Sequence, residues 1–321
     1  MRRKHWFALP LACVLCLVFF GCGRGADGVV VYTSVDEVYA RPVFEAFRRE
    51  TGIRVRAVYD LESQKTVGLA NRLRAEKKRP QADLFWSGES SAILPLMEEG
   101  VAEGVVIFGG RARVLLVNTE LMPDRAHWPA RLSGLVSDAF APGTIAMANP
   151  LFGTSATHAA ALYAALGPAE GRAFYEAVRE RLVILEGNGA VRDQVAAGRI
   201  PMGLTDTDDA FVAIESGKPV EMVFLDQGEG EMGTLVMPNT AAVVTGAPHP
   251  ENAALLLEHI TSPGTQKALY EAGWLDIVGI PGDIAEPRFD FASLRSMTTP
   301  LQQIAGCAAE AAADMEALFL R

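Results

Sequence analysis

The chain reads as an α/β protein of two lobes, each a mostly parallel sheet flanked by helices, with a ligand cleft between them. Three observations predict this. Short apolar runs alternate with helical segments along nearly the whole sequence, the pattern of βαβ units. The length of 321 residues suits two lobes of ordinary domain size. Polar residues gather where strands hand over to helices, which is where ligands of such sheets sit.

The first 28 residues stand apart. Arg2, Arg3 and Lys4 precede an apolar run from Trp6 to Phe20, followed by Gly21 and Cys22. A basic head, a short apolar middle and a small residue before the cut make an export signal. The run falls short of the ~20 residues that a bilayer span needs. Cysteine after a small residue predicts a lipoprotein signal over residues 1–21, with Cys22 as the lipid-bearing terminus and residues 22–28 as a tether. A plain secreted protein or an uncleaved anchor is the alternative, because Phe19 and Phe20 are bulky for a lipobox.

Elements follow in order. Val29–Thr33 is an apolar strand and Glu37–Glu50 a helix closed by Gly52, with Pro42 as a kink or first-turn residue. Arg54–Tyr59 alternates as a half-buried strand does. Gln64–Lys78 is helical, Ala82–Trp86 a strand and Ser91–Glu98 a short helix. Strands are expected at Arg113–Asn118 and Thr144–Ala148, then helices at Thr154–Leu166 and Ala169–Leu182. Val183–Leu185 is a strand, Gly189–Ala197 a helix capped by Asn188, Met202–Thr205 a strand and Thr207–Ser216 a helix. Val220–Phe224, Leu235–Met237 and Ala241–Thr245 are strands; Glu251–Ile260, Gly264–Ala272 and roughly Thr299–Leu318 are closing helices. Lobe 1 is expected over residues 29–118, lobe 2 over 119–238, and a return to lobe 1 with the C-terminal helices over 239–321.

Composition narrows the function. The formal net charge is −10, and it grows more negative once Arg2, Arg3 and Lys4 leave with the signal. Phosphate neutralisation needs basic surface, so nucleic acid is a poor partner. A cationic ligand fits the charge better. Of the four cysteines, Cys13 and Cys16 leave with the signal and Cys22 takes lipid, so Cys307 has no partner for a disulfide.

Four strand-to-helix junctions carry the candidate chemistry. Thr33-Ser34-Val35-Asp36-Glu37 offers either cleft-facing polar groups or a helix cap with acids on the macrodipole. In Ser87-Gly88-Glu89-Ser90-Ser91 the serines suit a cap, whereas Glu89 has no such duty. Asn149 to Ser155 combines free N–H groups with Thr154 and Ser155, suited to an anion or to capping alone. Thr205-Asp206-Thr207-Asp208-Asp209 crowds three acids at a helix start. Capping explains them, but so does a cation that relieves their repulsion. His127, His158, His249 and His259 lack metal spacing. Gly109-Gly110 and Gly228-Glu229-Gly230 read as loop glycines, and no P-loop, zinc or nucleophile-elbow motif is present.

Taken in order, VVVYTSVDEVYARPVFEAFRRETGI, PQADLFWSGESS, GGRARVLLVNTEL, IAMANPLFGTSATH, EGNGAVRDQVAAG, MGLTDTDDAF, the stretch from FLDQGEGEMG to HPENA, and SPGTQKALYEAG cover nearly the whole mature chain. Together they resemble the periplasmic solute-binding proteins of ABC importers, in the branch related to ferric-ion-binding proteins. The resemblance implies two hinged α/β lobes closing on a solute, handover to a membrane permease, a monomer and no enzyme activity. It places the protein in the periplasm or on the outer face of the cytoplasmic membrane. It implies no resident cofactor, any metal being the transported cargo. It maps metal ligands onto Asp36, Glu89, Asp208 and Asp209. A synergistic anion maps onto Thr154, Ser155, Asn188 and Arg111 or Arg113, and Asp206 joins the ligand-binding set. One departure matters: the tyrosine pair that binds iron in this branch falls at Asp208 and Asp209. An all-carboxylate set suits Fe(III) or another hard cation. A phosphate ester, a phosphonate or an organic cation is the alternative, and an extracytoplasmic hydrolase the alternative from another class.

Overall fold

A computed structural model describes residues 28–60, 67–90, 93–275 and 293–320. The expected leader, Cys22 and the tether to residue 27 lie outside the described residues, as do parts of the helices expected from Gln64 and Ser91.

One lobe begins with β1 (Val29–Thr33), α1 (Glu37–Thr51), β2 (Val55–Tyr59), α2 (Val67–Glu76), β3 (Leu84–Ser87) and α3 (Ile93–Glu98). The strands β1, β2 and β3 run parallel with β1 in the middle. Helix α1 buries Ala40, Val43, Phe44 and Phe47 on one face, runs through Pro42, and ends where Gly52 takes φ +77°. The second lobe is built from β5 (Ile145–Ala148), α4 (Gly153–Leu166), α5 (Pro168–Val178), β6 (Leu182–Leu185), α6 (Asn188–Ala196), β7 (Met202–Asp206), α7 (Thr207–Glu215) and β8 (Val220–Val223) if β4 (Ala102–Asn118) is set aside. Strands β5, β6 and β7 are parallel.

Two long strands join the lobes. The first half of β4 pairs antiparallel with β9 (Val236–Val244), which also pairs with β3. The second half of β4 pairs with β7 and β8. The change of partners falls between Ala112 and Arg113, just after a register shift between Phe108 and Arg111. Gly109 and Gly110 make that shift possible. Gly109 has φ +51° and a Cβ there would meet Leu275 at 2.9 Å; a Cβ on Gly110 would meet the Met237 carbonyl at 2.9 Å. These glycines are therefore a bulge inside a 17-residue strand rather than a loop. The bulge breaks the alternation that marks a strand, which hides its first half from a sequence reading. Strand β9 is likewise one element where two were expected.

The strand thus passes from one sheet to the other at residues 112–113, ahead of the expected boundary after 118. Helices α8 (Pro250–Thr261) and α9 (Pro263–Glu271) pack on the first lobe, where Ala253, Leu256, Ile260 and Leu269 join Phe44, Phe47 and Trp86. Among the described residues, helix α10 (Leu301–Phe319) touches the first lobe only through Leu301 and Ala305, beside the cluster of Tyr32, Leu73 and Phe85. Its Ile304, Ala311 and Met315 enter the core of the second lobe beside Leu162, Tyr163 and Tyr175. Tyr163 and Arg172 both bond Asp314, fixing that placement. Among the described residues no helix is long and apolar enough to cross a membrane.

Candidate functional site

The carboxyl ends of β1, β3, β5, β6 and β7 face a cleft of about 400 Å³ between the lobes. Ser34, Asp36, Val38, Tyr39, Gly88 and Glu89 line it from the first lobe; Arg111 stands at the crossing. The second lobe contributes the starts of α4, α6 and α7. All nine expected ligand-binding residues, Asp36, Glu89, Arg111, Thr154, Ser155, Asn188, Asp206, Asp208 and Asp209, line this one cavity.

Capping accounts for few of them. The residues before α1, α4, α6 and α7 are Asp36, Phe152, Gly187 and Asp206, and none of these side chains caps its helix. Asn188, expected as a cap, is instead the first residue of α6. Its amide turns inward to a cluster centred on Arg113, a residue the sequence placed only as an alternative to Arg111.

Arg113 lies two residues after Arg111, so both side chains leave the same face of β4. Its Nη1 donates to Asp206 Oδ1 at 2.8 Å and to Asn188 Oδ1 at 3.0 Å, and its Nη2 to Ser155 Oγ at 2.8 Å and the Leu204 carbonyl at 3.2 Å. The other oxygen of Asp206 accepts from Thr154 Oγ1 at 2.7 Å and Asn188 Nδ2 at 2.8 Å. Both oxygens of Asp206 and both terminal nitrogens of Arg113 are thus engaged within the wall, while Arg113 Nε is buried without a partner. Behind it, His158 is held neutral, its pKa lowered to about 3 by burial and then by the Arg113 charge.

The neighbouring patch is less complete. Arg111 Nη1 donates to Asp208 Oδ2 at 3.0 Å and Nη2 to the Gly88 carbonyl at 3.1 Å, while its guanidinium lies 5.4 Å from the Trp274 ring centre. Burial opposes the Arg111 charge, but Asp208 and Asp206 outweigh it and raise its pKa. Asp208 Oδ1 is buried and has no hydrogen-bond partner. Asp209 meets Arg192 and Thr205 Oγ1 at 3.3 Å each. Burial raises the pKa of Asp208, against the pull of Arg111. Burial, then the charges of Asp208 and Asp206, raises Asp209 further. Tyr39, which lines the same cavity, is raised by burial and then by the charges of Asp208, Asp209 and Asp36. Across the cleft, Thr157 Oγ1 donates to Glu89 Oε2 at 2.9 Å.

The expected metal set is not assembled as one. Asp36, Glu89, Asp208 and Asp209 share the cavity, but among the described residues no three Asp, Glu, His or Cys side chains are grouped to hold a metal ion. Arg111 and Arg192 hold two of those carboxylates, and Thr157 a third.

The sequence model of a family described as bacterial extracellular solute-binding protein matches residues 29–275. Iron-bound HitA from Pseudomonas aeruginosa is similar in structure, with a TM-score of 0.81 and 21% identity over 91% of this chain and 99% of that one. The ferric binding protein from Campylobacter jejuni gives 0.80 and 20%, over 91% and 99%. AfuA from Actinobacillus pleuropneumoniae, with fructose-6-phosphate bound, gives 0.79 and 17%, over 91% and 98%. At these identities the likeness establishes the two-lobed fold.

Proposed function

The chain belongs to the bacterial extracellular solute-binding proteins, and from that premise we propose that it grips a small, positively charged solute in the cleft and delivers it to the permease of an ABC importer. The observation that carries this is Asp208 Oδ1, a buried carboxylate oxygen without a donor in a cavity lined by six acids and two arginines. A buried acceptor left unpaired costs about 1–3 kcal/mol. A cation, a hard metal ion or an ammonium group, removes that cost and offsets the burial and the neighbouring acid charges that raise Asp208 and Asp209. Closure follows from the same chemistry. The lobes are joined by β4 and β9, and a solute touching both walls favours the closed arrangement by its extra contacts there. Arg113, Asp206, Thr154, Ser155 and Asn188 act as the rigid frame behind the grip.

A phosphate-bearing solute is the second reading. The starts of α4 and α6 face the cleft without side-chain caps, leaving backbone N–H groups for an anion, with Arg192 nearby. AfuA holds fructose-6-phosphate in a fold of this kind.

Thermal melting of the full chain with manganese(II), ferric citrate, benzyltrimethylammonium, inorganic phosphate and fructose 6-phosphate separates these readings. A ligand at a hundredfold its Kd adds about 2.7 kcal/mol of stability. Stabilisation by cations alone supports the first reading, and stabilisation by phosphates alone replaces it with the second. Release of phosphate from the ester would mark a hydrolase. The protein acts as a monomer held outside the cytoplasm by lipid on Cys22. Cys22→Ser should move it from the membrane fraction to the soluble one, and a variant still in the membrane refutes the anchor.

A further inference from the structure

The cleft is not lined by charge alone. Val38, in the first turn of α1, is 71% exposed, and Val212, on α7 of the opposite lobe, is 37% exposed. Both line the cavity, with Phe152 and Tyr39. Exposed valines on two facing walls of a polar cleft have no packing role in their own lobes, whose cores form without them. Tyr39 adds an aromatic surface beside the carboxylates. Its ring stacks at a tilt on Trp274, 6.2 Å between centres, and feels the charges of Asp208, Asp209 and Asp36. A volume of about 400 Å³ suits a small organic molecule and far exceeds a bare ion.

Resting on the cationic reading above, we infer that the solute is an organic ammonium compound with an apolar body. The ammonium group faces Asp208 and Asp209 beside the Tyr39 ring, and the body lies between Val38, Phe152 and Val212. Carboxylates alone do not distinguish such a cation from a metal ion. The apolar collar does, because a hydrated metal ion gains nothing from covering valine, whereas alkyl and aryl groups gain with each buried methylene. An aromatic face next to acids adds attraction for an alkylated ammonium.

Titration calorimetry on the full chain tests this with four probes: benzyltrimethylammonium, tetramethylammonium, manganese(II) and inorganic phosphate. Benzyltrimethylammonium should bind about tenfold more tightly than tetramethylammonium and more tightly than manganese(II). The double variant Val38→Asn, Val212→Asn should erase most of that tenfold preference while the melting temperature of the unliganded protein stays put. Equal binding of the two ammonium ions, or tighter binding of manganese(II), overturns the inference and leaves the cationic reading standing. A preference unchanged in the double variant overturns the role of the collar. Binding of phosphate alone, or of no probe, overturns both.

Discussion

Arg111 and Arg113 stand two residues apart on one strand, face the same way and are both nearly buried, yet their surroundings differ. Around Arg113 each oxygen of its partner Asp206 is engaged, and four residues from β5–α4, β6–α6 and β7 close the circle. Around Arg111 the partners come from both lobes, one oxygen of Asp208 is unpaired, and a second carboxylate is pressed alongside. A carboxylate with both oxygens engaged holds one conformation; one with a bare buried oxygen has something left to bind. The comparison separates the frame of the cleft from its grip.

Breaking the frame should have the largest effect. Asp206→Ala leaves the Arg113 guanidinium buried beside polar groups that have lost their centre. Removing one member of a buried pair costs about 3–5 kcal/mol, and urea denaturation should register a loss of that size. A loss under about 1 kcal/mol would mean the cluster contributes no more than a surface pair.

The grip should respond in its binding instead. Asp208→Asn with Asp209→Asn should weaken cation binding by about a hundredfold or more, the scale of ~3 kcal/mol expected for charge-assisted bonds. The protein should still fold, because an asparagine at position 208 can accept from Arg111, with some loss from the guanidinium's missing charge partner, and its stability should no longer depend on pH through these acids. The sign of that dependence follows from the raised pKa values. The folded protein holds protons that the unfolded chain has released, so the wild type loses stability as pH rises from the ordinary carboxylate range through the raised values. The double variant should lack that slope in unliganded melting curves. Unchanged cation affinity would return both acids to a structural role.

His158 sets the acid response of the frame. Its folded pKa of about 3 lies below the ordinary 6.5, because of burial and then the Arg113 charge. Its stabilising contribution is therefore present above about pH 6.5 and drains away as pH falls towards about 3, since the unfolded chain takes up the proton first. Measured between pH 7 and about 5, His158→Gln should lose less stability than the wild type. Frame and grip thus carry pH slopes of opposite sign.

The same contrast explains what the sequence made legible. Junction polarity located the cleft because strand ends and helix starts are set by local pattern, so Asp36, Glu89 and the Thr205–Asp209 run were found without knowledge of packing. What each side chain does depends on long-range partners. Asn188 reads as a cap because its spacing to the helix is right, and only the approach of β4 gives it Arg113 to bond. Arg113 itself sits in an apolar strand, where a charge carries no local signal of its role. The first half of β4 was lost to the Gly109–Gly110 bulge. The seat of α10 depends on Asp314 meeting Tyr163 and Arg172, more than a hundred residues away in sequence.

The smallest change discriminates most finely between ligand charges. Arg192 is partly exposed and meets Asp209 at 3.3 Å, a geometry contributing roughly 0–1 kcal/mol to stability. Arg192→Ala should therefore melt within a few degrees of the wild type. If the solute is a cation, Arg192 competes with it for Asp209, and its removal should tighten binding severalfold. If the solute brings a phosphate to the starts of α4 and α6, Arg192 is a partner, and its removal should weaken binding. Calorimetry with benzyltrimethylammonium and with fructose 6-phosphate on this single variant reads the direction. A weaker complex with the ammonium probe would show that the grip works through this arginine rather than in spite of it.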